Sequence, residues 1–346
     1  MKDSATLDEL DLLLINALQV APRAPWAVIA KAVETSPVTA ARRWLRLRSE
    51  GLAWVTAYGG PFVCRDHCLA FIDVDCVPAA VPRTARRLAD LPCVASVEHA
   101  SGRQDLLLTV MVSGLDGLAR LHTDVLGRLP GVTAVRSHIV TRFFTEGASW
   151  EIGAIGRNQR DAIRNATPHA DGGTVPTPDA DDRKLLLALG ADGRMSYRDL
   201  ADRTGMSEST VRRRLSKLYR GNTILARCEV AQSLSPYPVF VTYHATVDSH
   251  IQERIGRALA TLPEIRMCAA VTSQHNLVIN GWVRSIPDSH RLESYISQRF
   301  PEVTVTGRSI TLANTKRMGW ILDTTGRAVR HVPIDLWRQH GRAVVR

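Results

Sequence analysis

Shifting the chain by 171 positions lays its second half on its first without a gap. Within residues 7–47, 12 of 41 positions coincide, among them Asp8/Asp179, Asp11/Asp182, Leu14/Leu185, Arg23/Arg194, Ala30/Ala201, Ser36/Ser207, Thr39/Thr210, Arg42/Arg213, Arg43/Arg214 and Leu47/Leu218. Unrelated sequences coincide at roughly one position in seventeen. The register persists through Leu88/Leu259, Leu91/Leu262, Pro92/Pro263, Pro130/Pro301 and Val132/Val303. Solenoid repeats run to about 20–50 residues, so this period means duplication of a complete folding unit. Both halves must fold alike, and the two copies are expected to pair.

Length and composition set the outer bounds. The 346 residues suffice for two or more domains. Hydrophobic residues make up 45% and charged residues 23%, which excludes a mostly disordered chain, a collagen or a coiled coil. The apolar runs are too short to span a bilayer, and Met1–Ser4 leads into an acidic segment rather than a signal peptide, so a cytoplasmic protein is expected. The net charge of +10 suits a polyanion. Lysines are confined to Lys2, Lys31, Lys184, Lys217 and Lys316, so 39 of the 44 basic residues are arginine, whose fork suits phosphates and guanine edges.

The six cysteines form no disulfide framework. Cys64, His67, Cys68 and Cys76 are of zinc-ligand type, but structural zinc sites come as two close ligand pairs and the second pair is missing. Reduced thiols and no metal are expected here.

Each half opens with a three-helix pattern. In the second half Asp179–Gly190 puts Leu185, Leu186 and Leu189 on one side. Ser196 caps a second helix through Thr204 with Asp199 three positions on. Gly205 supplies the positive φ of a tight turn, and Ser207 caps a third helix through Tyr219. Val211, Leu215 and Leu218 give that helix a core face, while Ser209, Thr210, Arg212, Arg213, Arg214 and Lys217 lie opposite. This is the design of a helix-turn-helix, whose last helix enters a major groove. Residues 207–220 carry +4, and the matching 36–48 also carry +4 through Arg42, Arg43, Arg46 and Arg48. The predicted DNA contacts are Ser36, Thr39, Arg42, Arg43 and Arg46 in the first copy, and Ser207, Ser209, Thr210, Arg212, Arg213, Arg214 and Lys217 in the second. In the first copy Glu34 stands where the second has Gly205, which strains the turn if φ stays positive. Pro37 is tolerated at the first helical position. Trp26 and Trp44 align with Tyr197 and Leu215 and are expected in the core.

Each half closes with a β-α-β-β-α-β pattern. In the first half the strands are expected at Cys68–Val74, Val94–Ala100, Leu106–Val112 and Val132–Phe144, with helices at Pro78–Asp90 and Leu115–Leu129. In the second the order is Val239–Val247, Ile251–Leu262, Ile265–Thr272, Leu277–Val283, Asp288–Phe300 and Val303–Leu312. That order predicts an α+β, ferredoxin-like module whose sheet pairs with a partner. A phosphate-cradling Gly-rich loop after a strand and a nucleophile–base motif are both missing, so no catalytic residue, enzyme activity or cofactor is assigned.

Together, the stretch from Asp192 to Arg214, the basic third helix and the β-α-β-β-α-β module resemble the Lrp/AsnC (leucine-responsive, feast/famine) transcription regulators, twice over. The resemblance implies double-stranded DNA as partner and self-association through the modules. It further implies an amino acid or related metabolite as effector beside the family's Gly-x-x-Asp turn, here Gly102, Arg103 and Asp105. Asp105 would receive an ammonium group and Arg103 a carboxylate. Ser273 and Asn276 stand at the equivalent places in the second half, so one strong effector site per chain is expected. The same two-part architecture also resembles siroheme decarboxylases, which would need His and Arg in the module cleft. His99, His138, His244 and His275 are candidates, scattered along the chain without a decarboxylase-like motif.

The expected map is a first helix-turn-helix at 1–60, a first module at 61–146, a linker at 147–178, a second helix-turn-helix at 179–231, a second module at 232–325 and a tail at 326–346.

Overall fold

The computed structural model describes residues 7–60, 67–166 and 177–337, which form two compact units. Cys64 and residues 167–176 of the expected linker lie outside the described residues, as does the tail beyond 337.

The first unit joins the two helix-turn-helix copies. Helices α1 (Glu9–Val20), α2 (Trp26–Ala32) and α3 (Pro37–Ser49) form one, and α7 (Ala180–Ala191), α8 (Tyr197–Thr204) and α9 (Glu208–Arg220) the other. Strands β1 (Ala53–Gly59) and β6 (Ile224–Val230) pair antiparallel from Ala53↔Val230 to Gly59↔Ile224. A 171-residue shift maps that ladder onto itself, so a pseudo-twofold axis runs through it. The copies also exchange helices, α7 packing on β1 and α1 on β6.

The arginine repeated at 23 and 194 locks the exchange. Arg23 donates to the carbonyls of Gly193 and Met195 at 2.6 and 3.0 Å, and Arg194 donates to those of Pro22 and Ala24 at 2.7 and 2.9 Å. Arg194 lies 3.9 Å over the Trp26 ring. Burial pulls Arg194 down to about 10, which still leaves it charged at neutral pH. Trp26 is thus half-buried beneath a guanidinium rather than in the core, whereas Trp44 is a core residue as expected.

The expected linker is, in its described part, built into this unit. Trp150, Ile152, Ile155 and Ile163 are buried, and α6 (Arg157–Asn165) forms. The buried amides of Gln19 and Asn16 accept from the N–H groups of Ile152 and Ile155. Burying these four apolar side chains ties the segment to the unit.

The second unit holds both modules. The first runs β2 (Cys68–Cys76), α4 (Val81–Ala89), β3 (Val94–Ala100), β4 (Leu106–Val112), α5 (Gly114–Arg120) and β5 (Val132–Thr145). The helix expected to run to Leu129 changes to wider and tighter turns after Arg120. The second module runs β7 (Val239–Thr246), α10 (Gln252–Leu259), β8 (Ile265–Thr272), β9 (Leu277–Val283), α11 (Ile286–Arg299) and β10 (Thr304–Arg317). Each sheet has the ferredoxin-like order, β3-β4-β2-β5 and β8-β9-β7-β10.

The two sheets meet edge to edge, through β5 on β8 and β10 on β3, so eight antiparallel strands close into a ring. Closure leaves none of these eight strands with a bare edge, which removes a template for aggregation. Alternation puts Ala70, Ile72 and Val74 of β2, and Val241, Tyr243 and Ala245 of β7, into the cores beneath the helices. Asp73 and His244 therefore project from the opposite sheet face, and both are buried. The described part of the expected tail is also packed. Ala328 donates its N–H to the Gly51 carbonyl in the helical unit, and in the module unit Asp335 donates to the Pro92 carbonyl while Leu336 is buried. Gly51, at φ +67°, has no room for a Cβ against the Ala328 backbone.

Candidate nucleic-acid interface

The two third helices begin alike. Ser36 accepts from the Thr39 N–H at 3.0 Å and Ser207 from the Thr210 N–H at 3.2 Å, as N-caps do. The Thr39 and Thr210 hydroxyls accept from the cap hydroxyls, and Ser209 lies 3.0 Å from Ser207. The turn before each helix needs a positive φ, which Gly205 adopts at +73° and Glu34 at +54°.

The arginines divide into two sets that sequence alone did not separate. Arg43 bonds Asp8 and Asp11 at 2.6 and 3.0 Å, and Arg46 bonds Asp11 at 2.5 Å. Arg214 repeats this with Asp179 and Asp182 at 2.8 and 2.9 Å. These carboxylates cap the first helix of each copy, so Arg43 and Arg214 clamp helix three to helix one. Burial raises Asp8, but the Arg43 guanidinium, the Asp11 N–H and Arg46 together outweigh it and the carboxyl lies below its ordinary range. Asp179 is held low by the Asp182 N–H and then by Arg214. Arg42 and Arg213, one position earlier, are exposed and make no ion pair among the described residues. The repeat of the cap aspartates at 8, 11, 179 and 182 was the signal that could have told the sets apart.

Other cations differ between the copies. Arg48 bonds Asp192 at 2.8 Å. Arg212 bonds Glu208 at 2.9 Å and lies 4.2 Å over Tyr197. Lys217 and Arg220 are exposed without an ion pair among the described residues. The second helix thus offers Arg213, Lys217 and Arg220 to a polyanion, the first only Arg42.

In the module unit, Gly102 and Arg103 are exposed on the β3–β4 turn, and a Cβ at Gly102 would meet that of Ser309 at 2.7 Å. Asp105 is half-buried and accepts from the Cys76 N–H at 2.7 Å. Asn276 makes the equivalent bond, accepting from the Val247 N–H at 3.1 Å and donating back to the Val247 carbonyl at 2.7 Å. Among the histidines named from sequence, His99 pairs with Thr315 at 2.9 Å, apart from the rest. The other three, His138, His244 and His275, come together, with one ring nitrogen of each within 4.8 Å of the others.

No helix among the described residues is long and apolar enough to cross a membrane. The AsnC-type helix-turn-helix domain model matches residues 7–48 and 179–219, and the Lrp/AsnC ligand binding domain model matches 69–149. An uncharacterized HTH-type transcriptional regulator of Pyrococcus horikoshii is 29% identical over 136 residues, 39% of this chain and 86% of the relative. The HTH-type transcriptional regulator LysM of Saccharolobus solfataricus is 24% identical over 140 residues, 40% of this chain and 96% of the relative. In fold, the siroheme decarboxylase NirDL resembles the chain over 90% of its length and 93% of that protein, with a TM-score of 0.58 at 15% identity. Two matched DNA-binding domains, capped and clamped alike, and a matched ligand-binding module place the chain in the Lrp/AsnC family of transcription regulators, in a double-length tandem form.

Proposed function

We propose that the chain is a sequence-specific duplex-DNA-binding transcription regulator acting in the cytoplasm, with the second helix-turn-helix dominating recognition. The observation that carries this reading is the pair of outward arginines, Arg42 and Arg213, on capped helices whose neighbouring arginines are held away by aspartates. An arginine fork free at a major-groove face can take guanine O6 and N7. Selection from a random duplex library with the purified chain should enrich a site with two unequal halves. Failure to enrich any sequence at low salt would overturn the reading.

The effector is an amino acid or related metabolite at Gly102, Arg103 and Asp105, one per chain. Asp105 anchors its turn with one oxygen, so its charge remains available to an ammonium group. Asn276 makes the same anchor as an amide, so Asp105→Asn keeps the turn and removes only the charge. Calorimetry over an amino-acid panel should show the variant losing effector affinity while DNA affinity holds. Two equivalent sites per chain, or an unchanged variant, would make the turn structural only. This reading assigns no catalytic residue.

A second reading, a siroheme-decarboxylase-like enzyme, is favoured by one observation, the meeting of His138, His244 and His275 with Asp73 and Arg136 nearby. A tetrapyrrole absorbance band that copurifies with the chain, or a band shift that saturates at one iron tetrapyrrole per chain, would support it; no saturable shift on titration with an iron tetrapyrrole would exclude it.

A further inference from the structure

The three histidines come from distant parts of the module unit: His138 from β5, His244 from β7 and His275 from the turn between β8 and β9. Their ring centroids lie 4.2 Å (His244–His275), 4.7 Å (His138–His275) and 5.7 Å (His138–His244) apart. His244 is 8% exposed, yet its Nε2 has no hydrogen-bond partner, and neither has the buried Nε2 of His275. Buried polar nitrogens are ordinarily satisfied, and two orphans facing a third imidazole need a reason.

His138 is held from behind. Its Nε2 lies 3.1 Å from Asp73 Oδ2, and its Nδ1 lies 2.8 Å from the Ser273 hydroxyl. An ionised carboxylate only accepts, so Nε2 carries the proton and Nδ1 the lone pair. A carboxylate on one imidazole nitrogen, with the other left basic, is the arrangement that orients metal-bound histidines. The unpartnered Nε2 atoms of His244 and His275 are the ring nitrogens left to an ion beside His138.

We propose that His138, His244 and His275 form a binding site for one divalent transition-metal ion, with Asp73 as a positioning residue. Three imidazoles suit zinc, cobalt, nickel or copper rather than magnesium or calcium. Tetrahedral coordination at about 2.0–2.1 Å places ligand nitrogens about 3.4 Å apart, so the rings close in by roughly 1 Å or slightly more. The His138 lone pair exchanges its neutral bond from Ser273 for the ion, and the charge-assisted bond to Asp73 is kept. The fourth position stays open to water or a small anion. The ion ties β5 of one module to β7 and the β8–β9 turn of the other. The 171-residue shift puts Ser309, Asp73 and Gln104 opposite the three histidines, so the pseudo-symmetric position lacks the set and the stoichiometry is one ion per chain.

The test is a Co²⁺ titration of tag-free, chelator-stripped full-length protein, read by visible d–d absorption and by thermal midpoint, with Zn²⁺ displacing the band. The proposal expects saturation at one ion per chain, a rise in midpoint, and an intense band typical of four-coordinate cobalt. His275→Gln, on a half-buried turn, should fold and weaken binding on the order of tenfold or more. Asp73→Asn should weaken it by about 10–100-fold without changing the stoichiometry. No band and no midpoint change at stoichiometric Co²⁺ would overturn the site. So would a band that survives in the His244→Ala/His275→Gln double variant, since the ion would then sit elsewhere.

Discussion

The two recognition helices share a cap, a clamp and an outward arginine, and they differ in what else reaches solvent. On α9, Lys217 and Arg220 join Arg213 without an ion pair among the described residues. On α3, Arg46 stands where Lys217 does and is drawn to Asp11, while Arg48 is drawn to Asp192. A net charge of +4 on each helix therefore translates into different fields at the groove. Formal charge counts side chains, whereas a phosphate meets only those not already neutralised.

Salt dependence probes that difference most strongly. With Arg42 and Arg213 reading bases, Lys217 and Arg220 are two cations available to phosphates. Two released counterions give a slope of about −1.8 in log–log terms, or on the order of tenfold weaker binding between 50 and 200 mM salt. A flat titration would remove the electrostatic basis of the comparison, and a much steeper one would mean that the clamped arginines also reach DNA.

Arg43→Ala and Arg214→Ala should act on folding more than on DNA. Each removes charge-assisted bonds to the aspartates that cap the first helix, a loss of about 1.5–3 kcal/mol. Chemical denaturation should show the loss in the midpoint, with DNA affinity of the folded variant close to wild type. Arg214→Ala should cost more, because Asp11 keeps Arg46 in the first copy while position 217 offers Asp182 no ion pair. Equal stability with lost DNA binding would reverse the assignment.

The same clamps set an acid limit. Asp8 and Asp179 have folded pKa values below their ordinary 3.8, so the stability they contribute is fully present above about pH 4 and is lost as pH falls through their folded values. Facing them are Asp11 with Arg43 and Arg46 in one copy, and Asp181 and Asp182 with Arg214 in the other. A helical signal that weakens below pH 4 in wild type, and less steeply in Asp8→Asn/Asp179→Asn, is the expected outcome.

The smallest effect concerns the turn. Glu34 holds φ +54° at a cost that glycine avoids, so Glu34→Gly should stabilise the first copy by about 1 kcal/mol. Gly205→Ala should destabilise the second by a similar amount, although nothing lies within 4 Å of the added Cβ.

Local patterns were legible in the sequence because they rest on local rules. Caps at Ser36 and Ser207 and the strands Val94–Ala100, Ile265–Thr272 and Leu277–Val283 follow from spacing alone. The turn at 34 was legible as a conditional, and its φ is positive. Partners distant in sequence were not legible. Arg43 with Asp8 spans 35 residues, and nothing local marks the pair. His138, His244 and His275 are separated by 106 and 31 positions, and only the closed ring brings them together. Residues 150–163 read as a linker because four apolar side chains do not stand out until a surface exists to bury them.

The most direct measurement compares Arg42→Ala with Arg213→Ala, the two outward arginines at equivalent positions, on the site selected by the wild-type chain. Both variants keep the clamps, so both should fold with wild-type stability. A lost base contact costs roughly 1–3 kcal/mol, so Arg213→Ala should weaken binding by about 5–150-fold, with a clearly smaller loss for Arg42→Ala. Equal losses, or a larger loss at Arg42, would contradict the asymmetry; no loss at either would show that these helices do not read DNA.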